Sequence, residues 1–213
     1  MTDQAPLTRR RLLGIDRSGP PPPATGAGEP LRPWTIPNMI GFARLALIPV
    51  FLALALSSGD GRSAAATAVY AVIAGSDYLD GLAARLTGQY SRLGTLLDPL
   101  TDRLLILAGV IVGWRFELLP RWALAVLAAR ELAMVVLTRY GMRRGLELRV
   151  NMVGRWAVWP TMFAFFLAMV STTWVAEASL YLGLVLTLAA TALYARDFVA
   201  AISQHGTRPS SSP

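Results

Sequence analysis

Six apolar segments run through the chain, near residues 38–57, 64–86, 93–113, 119–139, 152–173 and 178–200. Polar breaks separate them: Ser57-Ser58-Gly59-Asp60-Gly61, Thr87-Gly88-Gln89, Arg115 to Pro120, Gly141 to Arg149 and Ser171 to Glu177. The apolar runs are continuous and not alternating, so they predict helices and argue against a β-barrel. A helix of about 20 residues is roughly 30 Å long, enough to cross the hydrocarbon core of a bilayer. The pattern therefore predicts an all-α polytopic membrane protein, a six-transmembrane-helix bundle. Residues 1–33 are polar and rich in Pro and Gly, which predicts a disordered cytoplasmic tail. The membrane domain then covers 34–202, and 203–213 form a second disordered tail. No internal repeat stands out, which weakens a transporter architecture.

Composition supports this picture. Of 213 residues, 54% are hydrophobic and only 15% charged, with a mean hydropathy of +0.47. A soluble domain carries about a quarter charged residues. Cysteine is absent, which excludes disulfides and thiolate metal sites. The single histidine, His205, lies in the polar tail, so histidine-based catalysis is not expected. All 20 basic residues are arginine, as the codon bias of a GC-rich genome would give. The net charge of +7 suits anionic lipid head groups or phosphate substrates. Nucleic acid is not the expected partner, because the arginines are scattered around the spans.

Arginine asymmetry predicts orientation. Arg9, Arg10, Arg11, Arg17 and Arg32 precede the first span; Arg85 and Arg92 lie between the second and third. Arg139, Arg143, Arg144 and Arg149 lie between the fourth and fifth, whereas the alternate loops hold only Arg62, Arg115 and Arg121. Both termini are then cytoplasmic, in a bacterial inner (cell) membrane. Arg9-Arg10-Arg11-Leu12-Leu13 superficially resembles a twin-arginine export signal, but a proline run follows it in place of an apolar segment. Trp34, Trp114, Trp122, Trp156, Trp159 and Trp174 fall near predicted span ends, as an interfacial belt would.

Against this apolar background stand Asp77, Asp80, Asp98 and Asp102. A carboxylate at membrane depth is expensive and usually functional. On a helix, Asp77, Asp80, Gly81, Ala84 and Arg85 form one stripe, and Gly94, Asp98 and Asp102 form another. A short turn at 87–92 makes the two helices antiparallel neighbours, so the stripes can face each other. Carboxylates about 5 Å apart repel by roughly 3 kcal/mol per pair at an effective dielectric near 20. Two divalent metals would balance four such charges, and all-oxygen ligands suit Mg²⁺ or Mn²⁺ over Zn²⁺. Paired metals stabilise the attacking and leaving oxygens of a phosphoryl displacement. Gly81 and Gly94 leave the helix surface bare, so a diphosphate or nucleotide can approach, and Arg85 can clamp a phosphate. The competing readings are solvated interfacial charges, a catalytically silent scaffold, and a carboxylate-lined divalent-cation transporter. The last of these accounts for neither the glycines nor the arginine.

Together these eight positions spell D-x-x-D-G-x-x-A-R-x8-G-x-x-x-D-x-x-x-D, which resembles the signature of the CDP-alcohol phosphatidyltransferases. The six-span pattern from about residue 36 to 200 fits as well. The resemblance implies an enzyme that moves a phosphatidyl group from CDP-diacylglycerol to an alcohol and releases CMP. It implies that Asp77, Asp80 and Asp98 hold two metals per active site, Mg²⁺ or Mn²⁺, with Asp102 contributing to the second. Asp102 would also be the general base that deprotonates the acceptor hydroxyl. Gly81, Ala84, Arg85, Ser91 and Gly94 would form the CDP-diacylglycerol site, and the family suggests a homodimer.

The acceptor rests on other residues. Thr35-Ile36-Pro37-Asn38-Met39-Ile40, with Arg44 and Pro49, resembles the first helix of bacterial phosphatidylglycerophosphate synthases, a pattern that eukaryotic-type cardiolipin synthases share. Asp98-Pro99 and Arg130-Glu131-Leu132 also resemble these groups, whereas Gly154-Arg155 stands where they usually carry Gly-Lys. Glycerol 3-phosphate is the expected acceptor, giving phosphatidylglycerophosphate. The alternative is phosphatidylglycerol, giving cardiolipin. A dianionic acceptor needs cations apart from the diphosphate clamp, and Arg44, Arg130, Arg139, Arg155 and Arg196 are the candidates. For Arg139 and Arg196, snorkelling at the cytoplasmic edge is an equal alternative. Arg44 could instead contact the aspartates, Arg130 could pair with Glu131, and Asn38 is expected to cap the first helix.

Overall fold

The computed structural model describes residues 30, 32–143 and 152–205. Among these are six helices and no strand: α1 (Ile36–Leu56), α2 (Ala64–Thr87), α3 (Arg92–Arg115), α4 (Arg121–Arg143), α5 (Met152–Val170) and α6 (Trp174–His205). Each expected segment is a helix, and most ends move by only a few residues. The exception is α6, which begins and ends beyond the expected 178–200. Glu177 lies in its first turn, where a negative charge is favoured by the helix dipole. No proline or glycine stands between Gly183 and Gly206 to stop it. Arg9, Arg10, Arg11, Arg17, Arg144 and Arg149 lie outside the described residues, as do 1–29, 31 and 206–213; residues 203–205, expected to begin the second disordered tail, are instead the end of α6.

The described residues sort into two compact units. The first holds α1, α2 and the first part of α3, through Leu105. The second holds the 58–63 connection and everything from Ile106 onward.

In the first unit α1 packs against α2. Thr35 is the N-cap of α1, its hydroxyl accepting from the Asn38 amide at 3.4 Å. Pro37 follows in the first turn, where its missing N–H removes no helical bond. Asn38 is therefore not the cap that the sequence suggested; it sits three residues inside the helix. The buried face of α1 is Asn38, Gly41, Arg44, Ile48, Phe51 and Ala55. These positions repeat every three or four residues, so they form one stripe. Phe51 packs on Tyr70 of α2, ring centroids 5.2 Å apart.

In the second unit α6 packs on α5 and on α4. Leu124, Leu127, Phe165, Leu180 and Leu184 are buried in its core. A Cβ at Gly183 of α6 would meet Thr161 Oγ1 at 2.3 Å and the Thr161 amide nitrogen at 2.9 Å, so only glycine allows α5 and α6 to approach this closely. Trp122 stacks on Tyr181 at 5.5 Å.

Two helical segments are long and apolar enough to cross a membrane: Ile36–Leu56, with mean hydropathy 2.2, and Trp174–Arg196, with 1.7. In α5 the apolar stretch is shorter, Ala157–Val170. Charges interrupt the rest: the aspartates in α2 and α3, and Arg130 and Glu131 in α4. Arg44, Asp80, Thr101, Glu131, Thr161 and Thr187 are buried, while Val72, Ile111, Val136, Phe163 and Val185 are exposed.

Candidate active site

The site lies wholly in the first unit and is assembled around one cation. Arg44 projects from α1 and is 1% exposed. Its Nη1 donates to Asp77 Oδ1 at 3.2 Å and to Asp80 Oδ2 at 2.9 Å, both from α2. Its Nη2 donates to Asp102 Oδ1 of α3 at 3.0 Å. Its Nε donates to the Ile73 carbonyl at 3.2 Å. The guanidinium thus gives four of its five N–H bonds to protein acceptors. This differs from the expectation that Arg44 waits for an acceptor phosphate; it takes the alternative place, among the aspartates. The physical reason is its position on the buried stripe of α1, opposite three carboxylates that need a counter-charge.

Three of the four predicted aspartates are therefore brought together on one guanidinium. Asp80 is the most enclosed, its side chain 6% exposed, against 24% for Asp102 and 39% for Asp77. Asp98 is half-buried on the same helix as Asp102 and makes no ion pair among the described residues. Pro99 is accommodated inside α3 directly after it.

The other face of the motif is set by the turn between α2 and α3. Gly88 ends α2 in the left-handed region, φ +65°, which glycine adopts without strain. Ser91 then caps α3: its hydroxyl accepts from the Gly94 amide at 3.0 Å and donates to Asn38 Oδ1 at 2.8 Å. The Asn38 amide nitrogen donates to the carbonyls of Arg32 and Pro33. Gln89 Oε1 accepts from the Ile36 amide at 2.9 Å and so satisfies an orphan donor at the start of α1. A Cβ on Gly94 would lie 2.9 Å from Asn38 Oδ1. The bare surface of Gly94, expected to face substrate, is here filled by Asn38, and the Ser91 hydroxyl is occupied by the cap. At Gly81, also expected to be bare, a Cβ would be 3.4 Å from Arg85 Nη1, so the guanidinium folds back over the glycine one turn earlier. Ala84 is half-buried on that stripe.

Sequence reasoning missed the stripe itself. Asn38, Gly41 and Arg44 are polar or small residues three apart on an otherwise apolar helix, and that spacing marks a face turned toward polar neighbours. Gly41 lies against Leu97 of α3, whose Cδ1 would be 3.6 Å from an added Cβ. It also missed Tyr70 and Thr101, whose buried hydroxyls have no hydrogen-bond partner among the described residues.

The acceptor arginines fare differently. Arg130 belongs to the second unit, where its Nη1 pairs with buried Glu131 and its Nε donates to Thr191 Oγ1 at 3.0 Å. Arg139 and Arg196 are exposed. Arg155 is in the first turn of α5, and its side chain lies outside the described residues.

The donor set suits a hard divalent cation: carboxylate oxygens only, partly open at Asp77 and Asp102, with more negative charge than one guanidinium neutralises. Among the described residues no three acidic side chains are grouped at metal-ligating distances. Three of them turn toward Arg44 instead.

Residues 34–189 match the CDP-alcohol phosphatidyltransferase family. The chain is 41% identical to a CMP-forming cardiolipin synthase of Streptomyces coelicolor, over 70% of this chain and 72% of that protein. It is 32% identical to a CDP-diacylglycerol–glycerol-3-phosphate 3-phosphatidyltransferase of Bacillus subtilis, over 62% of this chain and 74% of that protein. A putative cardiolipin synthase of Mycobacterium tuberculosis is 38% identical over 62% of each chain. The match covers both motif helices and all four aspartates. The chain belongs to the CDP-alcohol phosphatidyltransferase family and is a transferase of phospholipid biosynthesis.

Proposed function

We propose that the chain transfers a phosphatidyl group from CDP-diacylglycerol to a primary hydroxyl of a glycerol that also carries a phosphate, releasing CMP. The observation that carries this reading is the convergence of Asp77, Asp80 and Asp102, from two helices, on one buried point. Asp77, Asp80 and Asp98 would hold Mg²⁺ or Mn²⁺, two per site, with Asp102 sharing the second. Bound there, the metals would neutralise the diphosphate and stabilise negative charge on the oxygens of the phosphoryl group under attack. Arg85, lying over Gly81, would bind the diphosphate from the open face of α2. Oδ1 of Asp102 is held by Arg44, which leaves Oδ2 to take the proton from the acceptor hydroxyl. Ser91 and Gly94 would act on the donor through the shape of the α2–α3 turn, since their own polar groups serve the cap.

Two acceptors share this glycerol phosphate chemistry. Phosphatidylglycerol is favoured by the 41% identity to the Streptomyces coelicolor enzyme. It is also favoured by the engagement of Arg44 and Arg130 with protein carboxylates, which leaves fewer cations for a free dianion. Glycerol 3-phosphate, the acceptor that the first-helix pattern suggests, is supported by the Bacillus subtilis relative and by exposed Arg139. Incubating purified protein with CDP-diacylglycerol and Mg²⁺, and with each acceptor in turn, separates them. CMP release with phosphatidylglycerol alone is the expected result. Release with glycerol 3-phosphate alone establishes the second reading, and release with neither overturns both. Family membership sets the cation-transporter alternative aside.

The burial of charge and exposure of aliphatic side chains along α1–α6 support six membrane spans. Trp34, Trp114, Trp122 and Trp174, exposed near helix ends, would mark the interfaces. The arginine asymmetry supports cytoplasmic termini and a cytoplasm-facing site in a bacterial cell membrane. A homodimer is proposed by family likeness, and cross-linking in native membranes would test it.

A further inference from the structure

We propose that Arg44 is a positioning residue for the reaction: a counter-cation built into α1 that gathers Asp77, Asp80 and Asp102 and competes with divalent cations for them. The inference rests on the reading that these carboxylates hold metal. Its own basis is the geometry of the guanidinium. Arg44 makes hydrogen-bonded ion pairs with three carboxylates from two helices, and its Nε is tied to the Ile73 carbonyl, which fixes the plane of the fork. The side chain is buried, so it has no solvent alternative to these partners. With all four aspartates ionised, the cluster with Arg44 has a formal charge of −3 instead of −4.

Two consequences follow. A divalent cation needs carboxylate oxygens at about 2.1 Å in the case of Mg²⁺, and it approaches oxygens already turned toward a positive charge. Arg44 therefore lowers metal affinity by like-charge repulsion and by occupying acceptor oxygens. It also keeps the carboxylates close together, but this opposite contribution is outweighed by the repulsion between a unit charge and a divalent cation a few ångströms apart. With two divalent ions present, the extra cation leaves the site with a net positive charge, which favours an anionic donor.

A merely structural arginine gives the opposite sign. If Arg44 only supported the fold, removing it would loosen the site and weaken metal binding. The test uses the full chain in detergent micelles, stripped of metal, with Mn²⁺ as the probe and its free fraction read by electron paramagnetic resonance. Arg44→Met is expected to bind Mn²⁺ at least about tenfold more tightly than the unmodified chain, because a positive charge a few ångströms away is gone. Its unfolding midpoint in chelator is expected to fall, and the rise on adding Mn²⁺ to exceed that of the unmodified chain. Arg44→Lys keeps the charge but cannot span three carboxylates from one ammonium. It is expected to bind Mn²⁺ a few-fold more tightly than the unmodified chain, and it decides the matter if Arg44→Met does not fold. Equal or weaker Mn²⁺ binding in a folded variant overturns the proposal while leaving the metal reading intact. Absence of Mn²⁺ binding by the unmodified chain overturns the metal reading, and this proposal with it.

Discussion

Arg44 of α1 and Asp80 of α2 form an ion pair 2.9 Å long in which both side chains are almost fully enclosed. Asp98, one of the same four motif aspartates, has no such bond to Arg44. The four carboxylates are thus not equivalent, although the motif writes them alike. Without Asp80, Arg44 keeps Asp77 and Asp102, so the loss is that of one charge-assisted hydrogen bond, about 1.5–3 kcal/mol. Asp80→Asn is expected to lower the unfolding midpoint clearly in chelator, whereas Asp98→Asn leaves it unchanged or raises it. Thermal unfolding of the two variants side by side checks this, and equal losses would show that the pair does not organise the unit.

Asp102→Asn tests the base. The amide retains an oxygen that can accept from Arg44 but has no basic carboxylate. Turnover is expected to fall by at least about a hundredfold, the low end of what a general base contributes. Binding of CDP-diacylglycerol is expected to stay within a few-fold of the unmodified chain. A single-turnover assay beside a binding titration separates the two, and near-normal turnover would remove Asp102 from the role.

Gly94 and Asn38 form a clasp between α3 and α1. An alanine at 94 would put Cβ 2.9 Å from Asn38 Oδ1 and crowd the Ser91 hydroxyl at 3.3 Å. Overpacking of this kind typically destabilises by about 1–3 kcal/mol. Gly94→Ala is expected to lower the midpoint, and Asn38→Ala in the same chain to recover part of the loss. The double-mutant cycle measures that coupling. Strict additivity would mean that the two do not meet in the way described.

Glu131 is 1% exposed and pairs with Arg130 on the next position of α4. Glu131→Ala alone is expected to cost about 1.5–3 kcal/mol, because Arg130 then loses its charged partner and keeps only the Thr191 hydroxyl. Replacing both with leucine and methionine is expected to be far milder. Thermal unfolding of the single and double variants checks this. A double variant that folds well but loses affinity only for the acceptor would return Arg130 to substrate binding.

The sequence by itself determined the helices and the chemistry. Apolar runs of span length, broken by glycine, serine and arginine clusters, placed all six helices. They do so because each run is a local property of the chain, read without reference to any other run. The spacing of Asp77, Asp80, Gly81, Ala84 and Arg85, and of Gly94, Asp98 and Asp102, fixed which side chains share a face, because a helix has one period. It also brought the family into view, since few chemistries place four carboxylates in so apolar a chain.

Only the tertiary structure decided which partner each group takes. Arg44 could have met a phosphate, solvent or the aspartates, and its own helix does not say which; the approach of α1 to α2 and α3 chose the aspartates. Asn38 looked like a cap because asparagine favours that position and the apolar run starts there, but Thr35 took that role, and Asn38 was left to bond the carbonyls of Arg32 and Pro33 and the Ser91 hydroxyl. Gly94 read as an opening for a ligand, because a missing side chain is the same signal whether the space admits substrate or a neighbouring asparagine. Hydrogen bonds and ion pairs across helices depend on packing distances of a few ångströms. Those distances are set by residues far apart in the chain, and no local pattern encodes them.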